Sequence, residues 1–420
     1  DWYKELYKKS TFATDHNISV SGSSGKTSFY VTGRYYGQDG LFRYNTDDYK
    51  LFNMRAKGAV QVFDWLKVED NLEYSSMTYH NPLNVGEGGG IWRNIADEGH
   101  ILAPMFNPDG TLTHSAAYTV GDFWYGKNGI DTEQRILKNT VSATASFLKD
   151  KLRIKGDFTF QNNDNDQTQI RVPVPFSRRP GVIEYVGSSK TTSYLASNIY
   201  GEYEDTFKEV HYFKAMVGYN YEESRMKNVK VLRNGLIFDD AEDLNMALGQ
   251  TINTEGGYSK WRISGGFFRL NYVFNDRYLL EVNGRLDGSS KFPSDSQYAF
   301  FPSVSAGWRV SQEPFWKVPE EIFSNLKVRA SYGSLGNGNI DPYSFQELFK
   351  IKQSSLVLNG IRPQYTGQPA VIPLGLTWEK STTLNLGLDF AFLSNRLQFS
   401  GDIYQRKTTD MFTVGMSLPA

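Results

Sequence analysis

The chain has 420 residues, and its 45 Lys and Arg stand against 46 Asp and Glu, so no global field draws it to nucleic acid or anionic lipid. It holds no Cys, which excludes disulfides and thiolate metal sites, and no segment approaches the roughly 18 apolar residues of a membrane helix. With 28 Phe, 26 Tyr and 38 Gly it is rich in strand and turn formers, and a mean hydropathy of −0.47 suits a water-soluble protein or a barrel with a wet lumen.

Taken in order, strands are predicted at 17–21 and 28–36, joined by a tight Gly-Ser turn, then at 52–62 and 66–74 around 63–65. Further pairs follow at 141–147 with 152–160 around 148–151, and at 195–205 with 211–221 around 207–209. The clearest hairpin runs over 266–286. Phe268, Leu270, Tyr272 and Phe274 alternate with Arg269, Asn271 and Val273. After a turn at Asn275-Asp276-Arg277, Tyr278, Leu280, Val282 and Leu286 alternate with Leu279, Glu281, Asn283 and Arg285. Period two places these sets on opposite faces of a ribbon. Strands at 302–310 and 326–332 flank a connection that is helical in character near 319–322, and 382–392 turns at 393–396 into 397–403. About fourteen strands result. The long connections 37–48, 75–138, 161–193, 222–262, 287–300 and 333–377 alternate with the short ones.

The two faces differ in charge. In twelve of the strands, leaving aside 17–21 and 195–205, the apolar faces carry one charge, Asp70, whereas the opposite faces carry many, among them Arg34, Arg55, Lys57, Arg153, Lys155, Asp157, Arg269, Glu281, Arg285, Arg309, Lys327, Arg329 and Asp389. Lipid outside and water inside satisfies both faces, because a Lys or Arg at mid-bilayer costs about 2–4 kcal/mol. Trp65, Phe147, Phe274, Tyr278, Trp308, Phe390 and Phe392 sit beside short turns, as an interfacial girdle would. The fold expected is all-β, a transmembrane antiparallel up-and-down barrel. The start at Asp1 without Met, and the end shortly after a strand, suggest an internal piece of a longer protein.

Five stretches resemble the SusC/RagA family of TonB-dependent outer-membrane transporters of Bacteroidota: HNISVSGSSGKTSFYVTGRYYGQDGLF (16–42), FRLNYVFNDRYLLEVNGRLDGSSKF (268–292), FFPSVSAGWRVSQEPFW (300–316), LKVRASYGSLGNGNI (326–340) and LGLTWEKSTTLNLGLDFAFLSNRLQFSGDIYQRKTTDMF (374–412). The loops 75–138 and 222–262 match poorly. The resemblance implies an outer-membrane barrel of about 22 strands around a plug, a SusD-like surface lipoprotein as a lid, and energy from TonB through a periplasmic box. Its cargo would be oligosaccharides, or peptides as in the RagA branch. Residues 1–420 would then be part of the barrel alone, with the plug, the TonB box and the last strands elsewhere. Other readings are a passive or surface-binding barrel, and a soluble carbohydrate-binding protein of several sheets.

Aromatic rings in the long loops are the natural sugar-stacking candidates: Trp92, Phe106, Tyr118, Phe123, Trp124 and Tyr125. The alternative for the 123–125 cluster is a hydrophobic knot that packs the loop or the lid. Inward Arg269, Arg285, Arg309, Lys327 and Arg329 would line a solute path, or pair with carboxylates of the wall. Gly86 to Gly90 lacks the Lys-Ser/Thr ending of a phosphate loop. Asn163-Asp164-Asn165-Asp166 offers clustered oxygens for calcium but lacks the Gly and distal Glu of an EF-hand, which favours a solvated loop tip. The His residues show no metal spacing and no Gly-x-Ser-x-Gly elbow is present. The sequence thus implies no catalytic constellation, no metal and no cofactor.

Overall fold

The computed structural model describes residues 1–83, 95–96, 99, 102–125, 127–172, 176, 183–238, 243–250, 252–346, 348–349, 351–367 and 375–411. In chain order the strands are β1 (Ala13–Ser24), β2 (Thr27–Asp39), β3 (Asp48–Phe63), β4 (Leu66–Pro82), β5 (Gly129–Phe147), β6 (Leu152–Arg171), β7 (Glu184–Phe207) and β8 (His211–Asn234). They continue as β9 (Ile252–Phe274), β10 (Tyr278–Ser289), β11 (Tyr298–Arg309), β12 (Phe323–Asn337), β13 (Ile351–Gln353), β14 (Gln364–Thr366), β15 (Glu379–Phe392) and β16 (Leu397–Thr409). All but β13 and β14, which form a hairpin of their own, join one 14-stranded antiparallel sheet whose neighbours follow the chain. The outer edges of β1 and β16 are open among the described residues. Among the described residues no helix is long and apolar enough to cross a membrane.

The register carries the predicted faces across the sheet. Arg269 pairs with Asn283, Asn283 with Ser303, and Ser303 with Gly333, so polar positions form rows on one face. On the other face Leu280, Val304 and Leu386 are exposed rather than packed in a dry interior. Long side chains on the polar face reach over an intervening strand. Arg285 of β10 reaches Asn220 of β8, and Arg329 of β12 reaches Asp402 of β16, contacts that a concave wall favours.

Short turns lie at one rim, and there the predicted aromatics fall into three runs of ring contacts. Trp65 lies between Phe63 and Phe147; Phe274, Tyr278 and Trp308 stack in sequence; Phe323, Phe392, Phe390 and Phe399 make the third. The connection after β11 holds a 3-10 turn at Val310–Gln312 and a turn closed by Phe323 N–H on the Pro319 carbonyl, in place of a helix. Within it Glu313 is buried and accepts from Tyr278 Oη (2.6 Å), Trp308 Nε1 (2.9 Å) and Arg277 Nη1 (3.0 Å), which ties two turns together.

Strands are longer than predicted at their other ends. β7 and β8 reach 24 residues each. The expected loop tip at Asn163 to Asp166 lies inside β6, where its side chains alternate between faces, so the four oxygen donors do not converge. Among the described residues no group of three or more His, Asp or Glu side chains could hold a metal ion. Gly86 to Gly90 lies outside the described residues.

Candidate functional site

The concave wall of β8 to β12 and β15 carries a groove of about 890 Å3, in which Arg269, Glu281, Asn283, Arg285, Asp287, Ser303 and Ser331 stand beside apolar residues such as Phe267 and Phe301. A second hollow of about 410 Å3 adjoins it toward the short-turn rim, shares Asn385 with it and adds Asn271, Lys327 and Arg329. Period two makes the groove: each strand sends every second side chain inward. These inward residues are small and polar (Ser303, Ser305, Ser331) or amide-bearing (Asn271, Asn283, Asn385) between the cations.

The wall neutralises most of its own charge. Arg285 Nε donates to both oxygens of Asp287 (2.6 and 2.8 Å), and its guanidinium lies 5.7 Å from the Phe267 ring centre. Arg269 Nε donates to Asn283 Oδ1 at 2.7 Å, and Asn283 passes the polarity on to Glu281 at 2.7 Å. Arg329 bridges two carboxylates, Asp402 at 2.6 and 2.8 Å and Asp389 at 3.1 Å. It reaches Asp402 by crossing Gly387, which stands opposite both residues in the register. A Cβ at Gly387 would strike the guanidinium, so this glycine is what opens the span. On the same face, farther along the sheet, Arg153 is shared by Glu202 (2.7 Å) and Glu204 (3.0 Å), and Lys214 binds the same pair.

Of the five predicted lumen cations, Arg269 and Arg285 therefore line the groove and Arg329 lines the adjoining hollow, each held by neighbours on the wall. Arg309 is turned to the rim, where its Nη1 donates to the Asp276 carbonyl at 3.0 Å. Lys327 faces the hollow next to Arg329. The amide oxygens of Asn271 and Asn385 are buried in that hollow and accept no hydrogen bond. Sequence reading passed over Asn271, Asn283, Asn385, Asp287 and Asp402. Stepping by two from Arg269, Arg285 and Asp389 reaches four of them, because inward positions repeat at that interval.

At the long-loop rim lies a second assembly. The helix His114–Trp124 is capped at Thr113, whose Oγ1 accepts from Ala116 N–H. Its apolar stripe, Ala116, Ala117, Val120 and Phe123, packs on Trp2, Leu6, Met105 and Leu112. Phe123 is 0% exposed, with Phe42 against its ring at 4.8 Å. This corrects its reading as a stacking platform: the ring has no face left for a solute. Trp124 is held between Tyr44 (3.8 Å) and Phe106 (5.1 Å). Tyr118 and Tyr125 are exposed, whereas Trp92 lies outside the described residues. Below the helix, buried Asn128 fastens three connections. Its Nδ2 donates to the Asp122 and Val172 carbonyls, its Oδ1 accepts from Val172 N–H at 2.6 Å, and its own carbonyl accepts from Asn45.

The sequence profile of the family described as TonB dependent receptor-like, beta-barrel matches residues 93–420. The chain is 27% identical over 456 residues to the TonB-dependent receptor SusC of Bacteroides thetaiotaomicron, covering 98% of this chain and 42% of that protein. A TonB-dependent receptor of Formosa agariphila is 28% identical over 430 residues, with 98% and 41% covered. The chain thus spans about two fifths of the length of these curated relatives. Among solved structures, the RagAB peptide transporter superposes with a TM-score of 0.81 at 22% identity, over 100% of this chain and 46% of that one. The siderophore receptor PirA of Acinetobacter baumannii gives 0.58 at 12% identity, over 97% and 52%.

Proposed function

The chain belongs to the TonB dependent receptor-like β-barrel family and is an outer-membrane barrel segment of SusC/RagA type, and from that premise we propose that the complete protein actively imports oligosaccharides. The observation that carries the choice of cargo is the groove. Arg285 and Arg329 are spent on Asp287, Asp389 and Asp402, and Arg269 and Glu281 are held through Asn283, which leaves the Ser hydroxyls of the groove to meet a neutral, polyhydroxylated solute. Exposed Tyr118 and Tyr125 would offer ring faces near the mouth, with Trp92 a further candidate on the same connection. A SusD-like lipoprotein would cover that mouth, and TonB would supply energy through a plug and box on other segments of the protein.

Uptake of labelled oligosaccharides by cells carrying the complete protein tests this reading. Import should stop when the TonB system is deleted or de-energised. Import that ignores TonB would sink active transport and leave a passive barrel. The second reading, peptide import, is favoured by the superposition on the RagAB peptide transporter. Peptides rather than glycans extracted from the purified complex would decide for it.

A further inference from the structure

On the convex side of the wall, β8 and β9 run alike. Counting from the rim pair His211 and Phe274, the outward residues are Phe213, Ala215, Val217, Tyr219 and Tyr221 on β8, and Tyr272, Leu270, Phe268, Gly266 and Ser264 on β9. Twelve residues above the rim on each strand the face changes abruptly to Glu223 and Arg262. At about 3.3 Å per residue and a tilt near 40°, that is roughly 30 Å, the level where a 25 Å apolar band gives way to headgroups. There Arg225 stands opposite Lys260, and Lys227 opposite Tyr258. Glu223 is the one carboxylate among them. It is shared between Lys260 (2.8 Å) and Arg262 (2.7 Å), while Arg225 and Lys227 are exposed and make no ion pair among the described residues. The same height on β5 and β6 carries Glu133, Arg135, Asp164 and Asp166 instead, so the excess of positive charge is local, on a chain whose net charge is near zero.

We propose that Arg225, Lys227, Lys260 and Arg262 form a binding site for the phosphate groups of an anionic, acylated lipid in the outer leaflet. Guanidinium and ammonium groups match phosphate. The patch is continuous with the aliphatic and aromatic surface below it, so one molecule would place its phosphates on the cations and its chains along Val217 and Phe268. This continuity favours a lipid over a free anion. The site faces away from the lumen and stands independently of the cargo.

The test titrates the complete protein, in nonionic detergent, with lipid A, with its dephosphorylated form and with inorganic phosphate, and counts bound lipid by native mass spectrometry. Lipid A should bind at least tenfold more tightly than the dephosphorylated form, and millimolar phosphate should not displace it. Near a charged surface each cation contributes about a fivefold factor. Arg225→Gln with Lys227→Gln, Lys260→Gln and Arg262→Gln should therefore weaken binding tenfold or more. Arg225→Lys with Arg262→Lys should stay within twofold, and Glu223→Gln should tighten binding, a result available even if the fourfold variant fails to fold. Lys190→Gln with Lys230→Gln, at similar height on the lumen side, should change nothing. Binding by the fourfold variant within twofold of the parent, displacement of lipid by inorganic phosphate, or no gain from Glu223→Gln would each overturn the proposal.

Discussion

Arg329 shows how much of this wall is set by single side chains. It spans three strands only because Gly387 leaves a gap beneath its guanidinium. Gly387→Val should cut the bridge to Asp402 and lower the unfolding midpoint of the barrel. Asp402→Asn in the Gly387→Val background should then cost almost nothing further. Unfolding midpoints of the four proteins give the coupling, and additive losses would show that the arginine does not depend on the glycine. Glu313 invites a pH experiment. Hydrogen bonds from Tyr278, then Trp308 and Arg277, hold its carboxyl below the usual range. A lowered folded value means that its stabilisation is complete above the unfolded value of about 4.3, and is lost as pH falls through the lower folded one. Melting temperature should decline in that acid window, and Glu313→Gln should flatten the decline while lowering stability at neutral pH.

At the scale of elements, the strands were legible where lipid touches them and obscure where it does not. Leu270 and Leu280 announce their ribbons because one face is dry, so alternation is enforced there. Above the bilayer both faces are wet, and segments such as 222–234 and 252–262 alternate only in charge, which reads as loop. The helix at 114–124 was missed for a different reason. Its 116, 117, 120, 123 stripe and Thr113 cap are present in the sequence, but a lone amphipathic turn inside a long connection carries little weight beside so many strands. Phe123→Ala should therefore unfasten this crown, at about 3–5 kcal/mol of local stability. Hydrogen exchange should quicken over 114–124 and remain slow in β5; equal acceleration in both would mean that crown and wall unfold together. The rim turns carry a separate signature. Lys208 and Glu209 have φ of 49° and 61°, a left-handed pair that Asn-Gly adopts at lower cost. Lys208→Asn with Glu209→Gly should raise stability by roughly 1 kcal/mol in denaturant melts.

For the whole molecule, the serial order of the sheet and the one-sided distribution of charge were open to sequence reading because both follow from a single period. The groove was only half visible: its cations stand out in a strand, while the amides beside them resemble any surface residue until the register aligns them. Assignment of the lumen follows the same logic. If the groove carries cargo, Asn271→Leu with Asn385→Leu should lower uptake several-fold at unchanged surface abundance, since two polar amides of the hollow would be replaced by apolar groups. Transport at the parental rate would move the solute path elsewhere.

The length of β7 and β8 has a consequence for how such a protein meets its surroundings. Strands of 24 residues at about 3.3 Å each and a tilt near 40° climb to roughly 60 Å, more than twice the oily layer. A nutrient arriving from the medium would descend a hydrated shaft before it drew level with the first lipid headgroup. On the import reading, capture at the mouth would in that sense be a matter between dissolved partners, insulated by height from changes in membrane thickness or fluidity that act on the lower storey alone.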